Sequence, residues 1–380
     1  MIIQSRNVYF EEKLQAKQVE IQGDKIVGIY PYGLFKADKD YGDLIVMAGL
    51  VDIHNHGYDL VESNTATLQW LKKWTSYLPS EGVTSTLATI SSFPKDGLIK
   101  ALKNIGQFID NPSFGTHILG VYEEGPFISN GKERGAQNLD FQIIPDRAVI
   151  DEFNDACNGH LIYVMIAPEM LEGNYDVIDY CRSKNMAVAL GHTGASFEIC
   201  SQAIAHGATS FTHTYNGMKG LHHREPGVVG AAMYYDNCYC ELIADGIHVE
   251  KHAANILARI KGKDRMIIVT DSINLKGLPL GVYHFDDGNE DTEICADGVC
   301  RLPNGTLAGS VNKLNDVLRY AIKEEHIDIT TAINAVTINP MKLLNINDRG
   351  LLKAGYKADI VVFDDEFKTQ RVYIDGKKYL

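Results

Sequence analysis

Residues 51–57 read Val-Asp-Ile-His-Asn-His-Gly, two histidines one residue apart behind an apolar run. Side chains of an extended chain alternate sides, so His54 and His56 project the same way and can address one ligand. Taken alone, such a pair also suits a strand end that merely carries two polar residues. What ends the other strand-like runs decides between the two.

Eight such runs recur through the middle of the chain: LVDIH (50–54), VTSTLATI (83–90), HILGVYE (117–123), IYVMIAP (162–168), MAVALGH (186–192), TSFTH (209–213), YCELIAD (239–245) and MIIVTD (266–271). Between and after them, residues 65–78, 146–157, 175–184, 197–206, 249–260 and 311–325 carry apolar side chains at three- and four-residue spacing, the mark of amphipathic helices. Strand and helix alternating eight times predict an α/β protein with a (β/α)8 TIM barrel. The alternative, a doubly wound sheet, calls for a glycine-rich turn after its first strand, and none follows here. Short alternating runs fill both ends of the chain, with Gly23-Asp24 suited to a hairpin turn. Residues 1–47 and 348–380 are therefore expected to form one small β-sandwich, with the barrel over 48–347.

A barrel of this kind places its chemistry at the carboxyl ends of its strands. There the sequence sets His54 and His56 after the first run, Glu124 after the third, His192 after the fifth and His213 after the sixth. Asp245 and His248 follow the seventh, and Asp271 ends the eighth. Each has a structural explanation by itself, since an aspartate after a strand often caps the next helix. Together they describe a site. Imidazole nitrogen and carboxylate oxygen suit zinc and similar divalent ions. Glu124, His192 and His213 supply three ligands and leave room for water. His54, His56 and Asp271 form a second group, around another ion or the same water. A metal lowers the pKa of bound water from about 15.7 towards roughly 7, and an aspartate nearby takes the remaining proton and passes it to a leaving amine. Asp271 is the candidate, and the chemistry is metal-assisted hydrolysis of an amide.

Composition narrows the partners. The 380 residues are 45% hydrophobic and 22% charged, as in an ordinary globular protein, with a formal net charge of −13. That balance argues against nucleic acid and anionic membrane as partners. It also means that an anionic substrate must be held by a few local cations. Seven scattered cysteines without a CxxC support neither a disulfide framework nor a zinc ribbon. With no long apolar span and no signal pattern at the amino terminus, a cytoplasmic protein is expected.

The motifs HNHG, EEGPF, LGHTGAS, FTHTYNGM, HREPG, IADGIHV, VTDS, GLPLGVY, DGVCRLPNGTLAGS and GLLKAGYKADIVVFD, running in order from residue 54 to 364, resemble those of the N-acetylglucosamine-6-phosphate deacetylases of the amidohydrolase superfamily. The resemblance implies removal of acetate from a phosphorylated amino sugar by metal-activated water. It assigns Glu124, His192 and His213 to the principal metal and Asp271 to acid–base catalysis. It implies a divalent cofactor, zinc foremost, with one or two ions per subunit because His54 and His56 are intact. For the sugar phosphate it points to Asn216, Gly217 and His248, and to Arg224, which reaches the neighbouring subunit's site in a homodimer. A guanidinium pairs well with phosphate oxygens, which answers the charge problem. The sequence departs from the family at Tyr122 and Glu123, where HLEGP reads YEEGP, and at Gln137, where a carbonyl-polarising histidine is replaced. Glutamine still donates a hydrogen bond but carries no charge. The alternatives are a deacetylase of another N-acetylhexosamine phosphate, such as N-acetylgalactosamine 6-phosphate, a different amidohydrolase acting on an acylated small molecule, or a metal-binding sensor without catalysis.

Overall fold

In a computed structural model of the chain, which describes residues 1–285 and 291–380, all eight expected runs are parallel neighbours of one sheet. They are Leu50–Asp52, Val83–Ile90, His117–Glu123, Leu161–Ile166, Ala187–Leu190, Ser210–Phe211, Tyr239–Leu242 and Met266–Ile268, paired in chain order. The first and eighth close on each other beyond their ladders. Asp271 N–H donates to the His54 carbonyl at 3.0 Å, and Asn55 bridges to Ser272. Asp52 accepts from Thr270 Oγ1 at 2.7 Å and from Asn55 Nδ2 at 3.0 Å, tying the same seam from inside. The α/β barrel expected from the sequence is the observed architecture.

Alternation along the strands divides the core in two. Val51, Leu87, Tyr122, Tyr163, Met165, Ala189, Tyr239 and Ile267 fill the barrel interior, and the short helix Ile338–Leu343 adds Ile338, Met341 and Leu343 to that cluster. Intervening residues such as Val121, Val164, Val188 and Leu242 face the helical layer. Trp70 and Trp74 of the helix Leu68–Tyr77 are buried there, four residues apart on one face.

Residues from both ends form one continuous eight-stranded sheet. Ile2–Phe10, Lys13–Gln22 and Lys25–Pro31 pair antiparallel, Ile45–Ala48 joins the first of them in parallel, and Ile360–Phe363 and Thr369–Ile374 extend the other side. The turn Gly23-Asp24 is the two-residue hairpin connection, with Gly23 at φ +60°. Ile360 and Val362 enter this sheet's own core while Val361 and Phe363 enter the barrel's outer core, so one strand serves both bodies.

The helix Lys95–Asp110 is not foreshadowed by the spacing, because glycines at 97 and 106 weaken its pattern. Gly106 is there for space, since a Cβ would lie 2.6 Å from the backbone carbonyl carbon of Cys157. A four-stranded antiparallel sheet of Gly281–Tyr283, Thr292–Ile294, Val299–Arg301 and Leu307–Ser310, between the eighth strand and the helix Leu314–Lys323, brings Thr306 to Gly309 over the open end of the barrel. No helix among the described residues is long and apolar enough to cross a membrane.

Candidate active site

The carboxyl ends of the strands and the inserted sheet enclose a cleft of about 370 Å³. At its floor, His54, His56, Glu124, His192, His213 and Asp271 converge. His192 Nε2 and His213 Nε2 each lie 3.0 Å from Glu124 Oε1 and 3.1 Å from each other. His54 Nε2 and His56 Nε2 are 3.2 Å apart, His56 Nε2 is 3.3 Å from Glu124 Oε2, and both imidazoles approach Asp271 Oδ1 at 3.3 and 3.2 Å. Among the described residues, two overlapping groups in this cleft have ligand atoms close enough to share an ion, and Glu124 belongs to both. Four ligands on bonds of about 2.0–2.1 Å stand roughly 3.3 Å apart, near the separations found here. The donor set therefore fits a divalent cation.

Outer contacts aim the ligand nitrogens inward. His54 Nδ1 lies 2.9 Å from Glu241 Oε2, His192 Nδ1 is 3.0 Å from the Glu133 carbonyl and His213 Nδ1 is 3.1 Å from the Asn216 carbonyl. Each acceptor takes the proton on Nδ1, so Nε2 faces the carboxylates and is the nitrogen that would ligate a cation. Glu241 also accepts from Tyr163 Oη at 2.8 Å and from the His213 amide at 3.2 Å, so one buried carboxylate fixes two ligands. Sequence reasoning passes over Glu241. Its signal is a charge on the same alternate face of YCELIAD as the interior residues Tyr239 and Ile243.

The backbone is held in an uncommon state at the same residues. His192, His213 and Asp271 have φ of +43°, +29° and +48°. Such conformations cost about 1–3 kcal/mol each and persist where the surroundings over-determine them, most often at functional sites. Gly217 permits the closest approach, because a Cβ there would lie 2.9 Å from His192 Nδ1 and 2.8 Å from the Glu133 carbonyl oxygen.

Burial opposes charge on Glu124, yet the charge of His54 and hydrogen bonds from His192 and His213 hold its carboxyl well below the usual range. Asp271 is likewise held low against burial by His54 and His56. His54 rises well above its ordinary value, because Asp271 and Glu124 outweigh the burial that would lower it. The cluster thus keeps two carboxylates ionised, the form that binds a cation. Glu123 differs. It is fully buried with neither carboxyl oxygen hydrogen-bonded, and burial first, then neighbouring Glu124, pushes it well above the carboxylate range. Strand alternation turns it away from Glu124 towards Cys181 of the helix Asp176–Ser183.

Gln137 lines the cleft. Its side-chain oxygen accepts from Ser92 N at 3.0 Å and Ser92 Oγ at 2.6 Å, and a backbone N–H only donates, so the amide orientation is fixed with Nε2 on the side of Glu124. Ser92 is a second residue that the motif reading overlooks. His248 also lines the cleft, its Nδ1 2.7 Å from Asp245 Oδ2 and its Nε2 without a protein partner. Asp245 Oδ1 caps the amides of Ile247 and His248, and Oδ2 accepts from Asn312 Nδ2 at 3.0 Å. Burial would lower His248, but its hydrogen bond to Asp245 and that charge carry it above its ordinary value. Asn216 and Gly217 border the cleft. Arg224 is not brought to it; this residue is exposed, with Nη1 3.2 Å from His223 Nε2.

A further group of possible ligands, His117, Asp359 and Asp375, lies where the small sheet meets the barrel. Arg349 and Lys357 already face its carboxylates at 3.3 and 3.5 Å, so it is an ion-pair network balanced by side chains.

Known proteins are similar to this chain in sequence and in fold. N-acetylglucosamine-6-phosphate deacetylase of Bacillus subtilis is 34% identical over 328 residues, 85% of this chain and 82% of that protein. N-acetylgalactosamine-6-phosphate deacetylase of Escherichia coli O157:H7 is 31% identical over 378 residues, covering 99% of this chain and 98% of its own. A variant of N-acetyl-D-glucosamine-6-phosphate deacetylase from Mycobacterium smegmatis, solved with N-acetyl-D-glucosamine-6-phosphate, superposes with a TM-score of 0.93 at 27% identity, over all of this chain and 99% of that one. The amidohydrolase family pattern itself matches residues 45–378. The chain belongs to the amidohydrolase family.

Proposed function

We propose that the protein hydrolyses the acetamide of an N-acetylhexosamine 6-phosphate, N-acetylglucosamine 6-phosphate first, giving the free amino sugar phosphate and acetate. The observation that carries this reading is the convergence, in one cleft, of an imidazole–carboxylate cluster with Asp271 at its edge, an oriented amide donor in Gln137 and an unpartnered imidazole nitrogen in His248. The E. coli relative, covered end to end, keeps the galactosamine epimer as the second substrate to be tried.

Glu124, His192 and His213 would hold the principal ion and His54 with His56 a second, zinc being the first metal to test. A bound divalent ion supplies Lewis acidity and water that ionises near neutral pH. The chain's own residues do the rest. Asp271 Oδ1 takes the proton of the attacking water and returns it to the amine nitrogen as the C–N bond breaks. Gln137 Nε2 donates to the acetyl oxygen as negative charge develops on it. The His248 Nε2, Asn216 and the Gly217 backbone bind the sugar phosphate, joined by Arg224 from the partner of a homodimer. The setting we assign is the cytoplasm, where seven free thiols stay reduced.

Acetate release from 6-phosphorylated and unphosphorylated N-acetylglucosamine and N-acetylgalactosamine tests the reading. Turnover should be confined to the phosphorylated sugars. Gln137→Leu should lower it by about 10²–10³ with metal content unchanged, as loss of one oxyanion donor does. Preference for unphosphorylated sugars would overturn the substrate class, and undiminished turnover in the Leu variant would remove Gln137 from the reaction. For the dimer, mixing inactive Arg224→Ala chains with inactive Asp271→Asn chains should restore part of the activity, because one hybrid site then has both residues intact. A mixture as inactive as its components would refute the shared site.

A further inference from the structure

Behind the Asp245–His248 pair lies a carboxyl group that the reaction does not use. Glu325, in the turn after the helix Leu314–Lys323, is 2% exposed, and neither side-chain oxygen reaches a hydrogen-bond partner. Its backbone is fixed, the amide donating to the Tyr320 carbonyl at 3.1 Å and its own carbonyl accepting from Asn255 Nδ2 at 2.9 Å. The side chain meets the loop that carries His248, facing the Gly246 amide and the charges of Asp245 and Glu250. Gly246, at φ +73°, packs so closely on Tyr320 that a Cβ there would lie 2.2 Å from the hydroxyl oxygen. Tyr320 faces Glu325, Glu324, Asp245 and Glu250, every one of them acidic. His252, the nearest histidine of the following helix, is exposed and occupied by Glu250 at 2.7 Å. Among the described residues, the charged groups that act on Glu325 are Asp245 and Glu250, both acidic.

An unpaired carboxylate in such a place is unfavourable, whereas the protonated acid of the same shape is tolerated. Burial, then Asp245, push Glu325 up to about 8. Ionisation adds a negative charge against the loop whose Asp245 carboxylate orients His248, and solvating it requires water to part Gly246 from Tyr320.

We propose that Glu325 is a positioning residue, a buried neutral acid that keeps the Asp245–His248 loop in its anion-holding shape and releases it on ionising. The inference rests on the reading of His248 as a phosphate-binding group. It adds an alkaline limit on ligand affinity, set by a residue outside the cleft. A group that merely filled space would impose no such limit.

The test uses glucose 6-phosphate, which lacks the amide and whose phosphate, with a second pKa of about 6, is dianionic throughout the range of interest. Its Kd is measured calorimetrically on the metal-loaded protein from about pH 7 to about pH 9.5, for wild type and Glu325→Gln. His248 titrates in both forms, so the ratio of the two Kd values isolates Glu325. That ratio should stay within about twofold at pH 7, then climb as the wild type weakens, reaching about five- to tenfold at pH 9, near the tenfold per pH unit that one linked proton allows. A constant ratio overturns the proposal. Absence of glucose 6-phosphate binding in either form would overturn the phosphate-site reading and this inference with it. Should the Gln variant fail to fold, infrared titration of the wild type decides. A protonated-carboxyl band that disappears around pH 8, in step with a loss of wild-type affinity for glucose 6-phosphate over the same range, supports the proposal, and an affinity that does not fall between about pH 7 and 9, or no acid band titrating there, refutes it.

Discussion

Glutamine in place of Glu124 is expected to strip the protein of bound metal and of activity together. Glu124 is the one side chain common to both ligand groups, with Oε1 toward His192 and His213 and Oε2 toward His56. The substitution keeps the shape of the side chain and removes the charge, and a neutral amide is a poor ligand beside a carboxylate for a dication. Losing an outer partner of a ligand costs roughly 10–100-fold in metal affinity or activity, so losing the shared ligand should cost well more than about 10²-fold in both. His54→Ala is the contrast. It reaches one group directly and should leave an ion with Glu124, His192 and His213. Metal analysis of the purified variants beside acetate release separates these cases. A full metal complement in Glu124→Gln would mean that the two groups are not the ligands.

The barrel was legible because its strands are apolar on both faces and bounded by polar residues that must sit at one end. Met186–Leu190, closing on Gly191 and His192, is such a run, and its strand and loop fall where the pattern puts them. The helix Lys95–Asp110 was hidden for the opposite reason, since Gly106 answers a close approach of Cys157 that local spacing does not encode. The inserted four-stranded sheet was likewise hidden, its strands of three or four residues being too short to show a period.

Within the site, residue type and position reached the groups that point into the cleft but not those that aim them. Glu241 and Ser92 act through contacts that only the fold creates, 187 and 45 residues away in the chain from His54 and Gln137. Asp245 stood in the pattern as an acid after a strand. Only the fold shows that its carboxylate is consumed by capping and by His248. Glu123 and Glu325 are a third kind, buried carboxyls with no partner. In sequence they look like any other strand or turn acid.

Asp271→Asn is expected to separate binding from chemistry. Asp271 Oδ1 lies 3.2–3.3 Å from the Nε2 atoms of His54 and His56, close enough to serve a water held among these groups, but it is absent from both ligand triads. Its amide is bound to the His54 carbonyl and its carbonyl receives the Ser310 amide at 2.9 Å, so the side chain is carried on a backbone fixed from both sides at φ +48°. Gly309 comes within contact of that backbone, a Cβ there lying 3.0 Å from the Asp271 carbonyl oxygen. Asparagine tolerates positive φ better than most residues and preserves this geometry. What it removes is the capacity to accept a proton from water and return it to the amine. A positioned acid–base group contributes about 10²–10⁴ to rate, so kcat should fall by that factor. Metal content and the affinity for glucose 6-phosphate should stay within about threefold of wild type, since ligands and phosphate groups are untouched. Loss of metal in step with activity would make Asp271 a ligand, and unchanged turnover would remove it from the reaction.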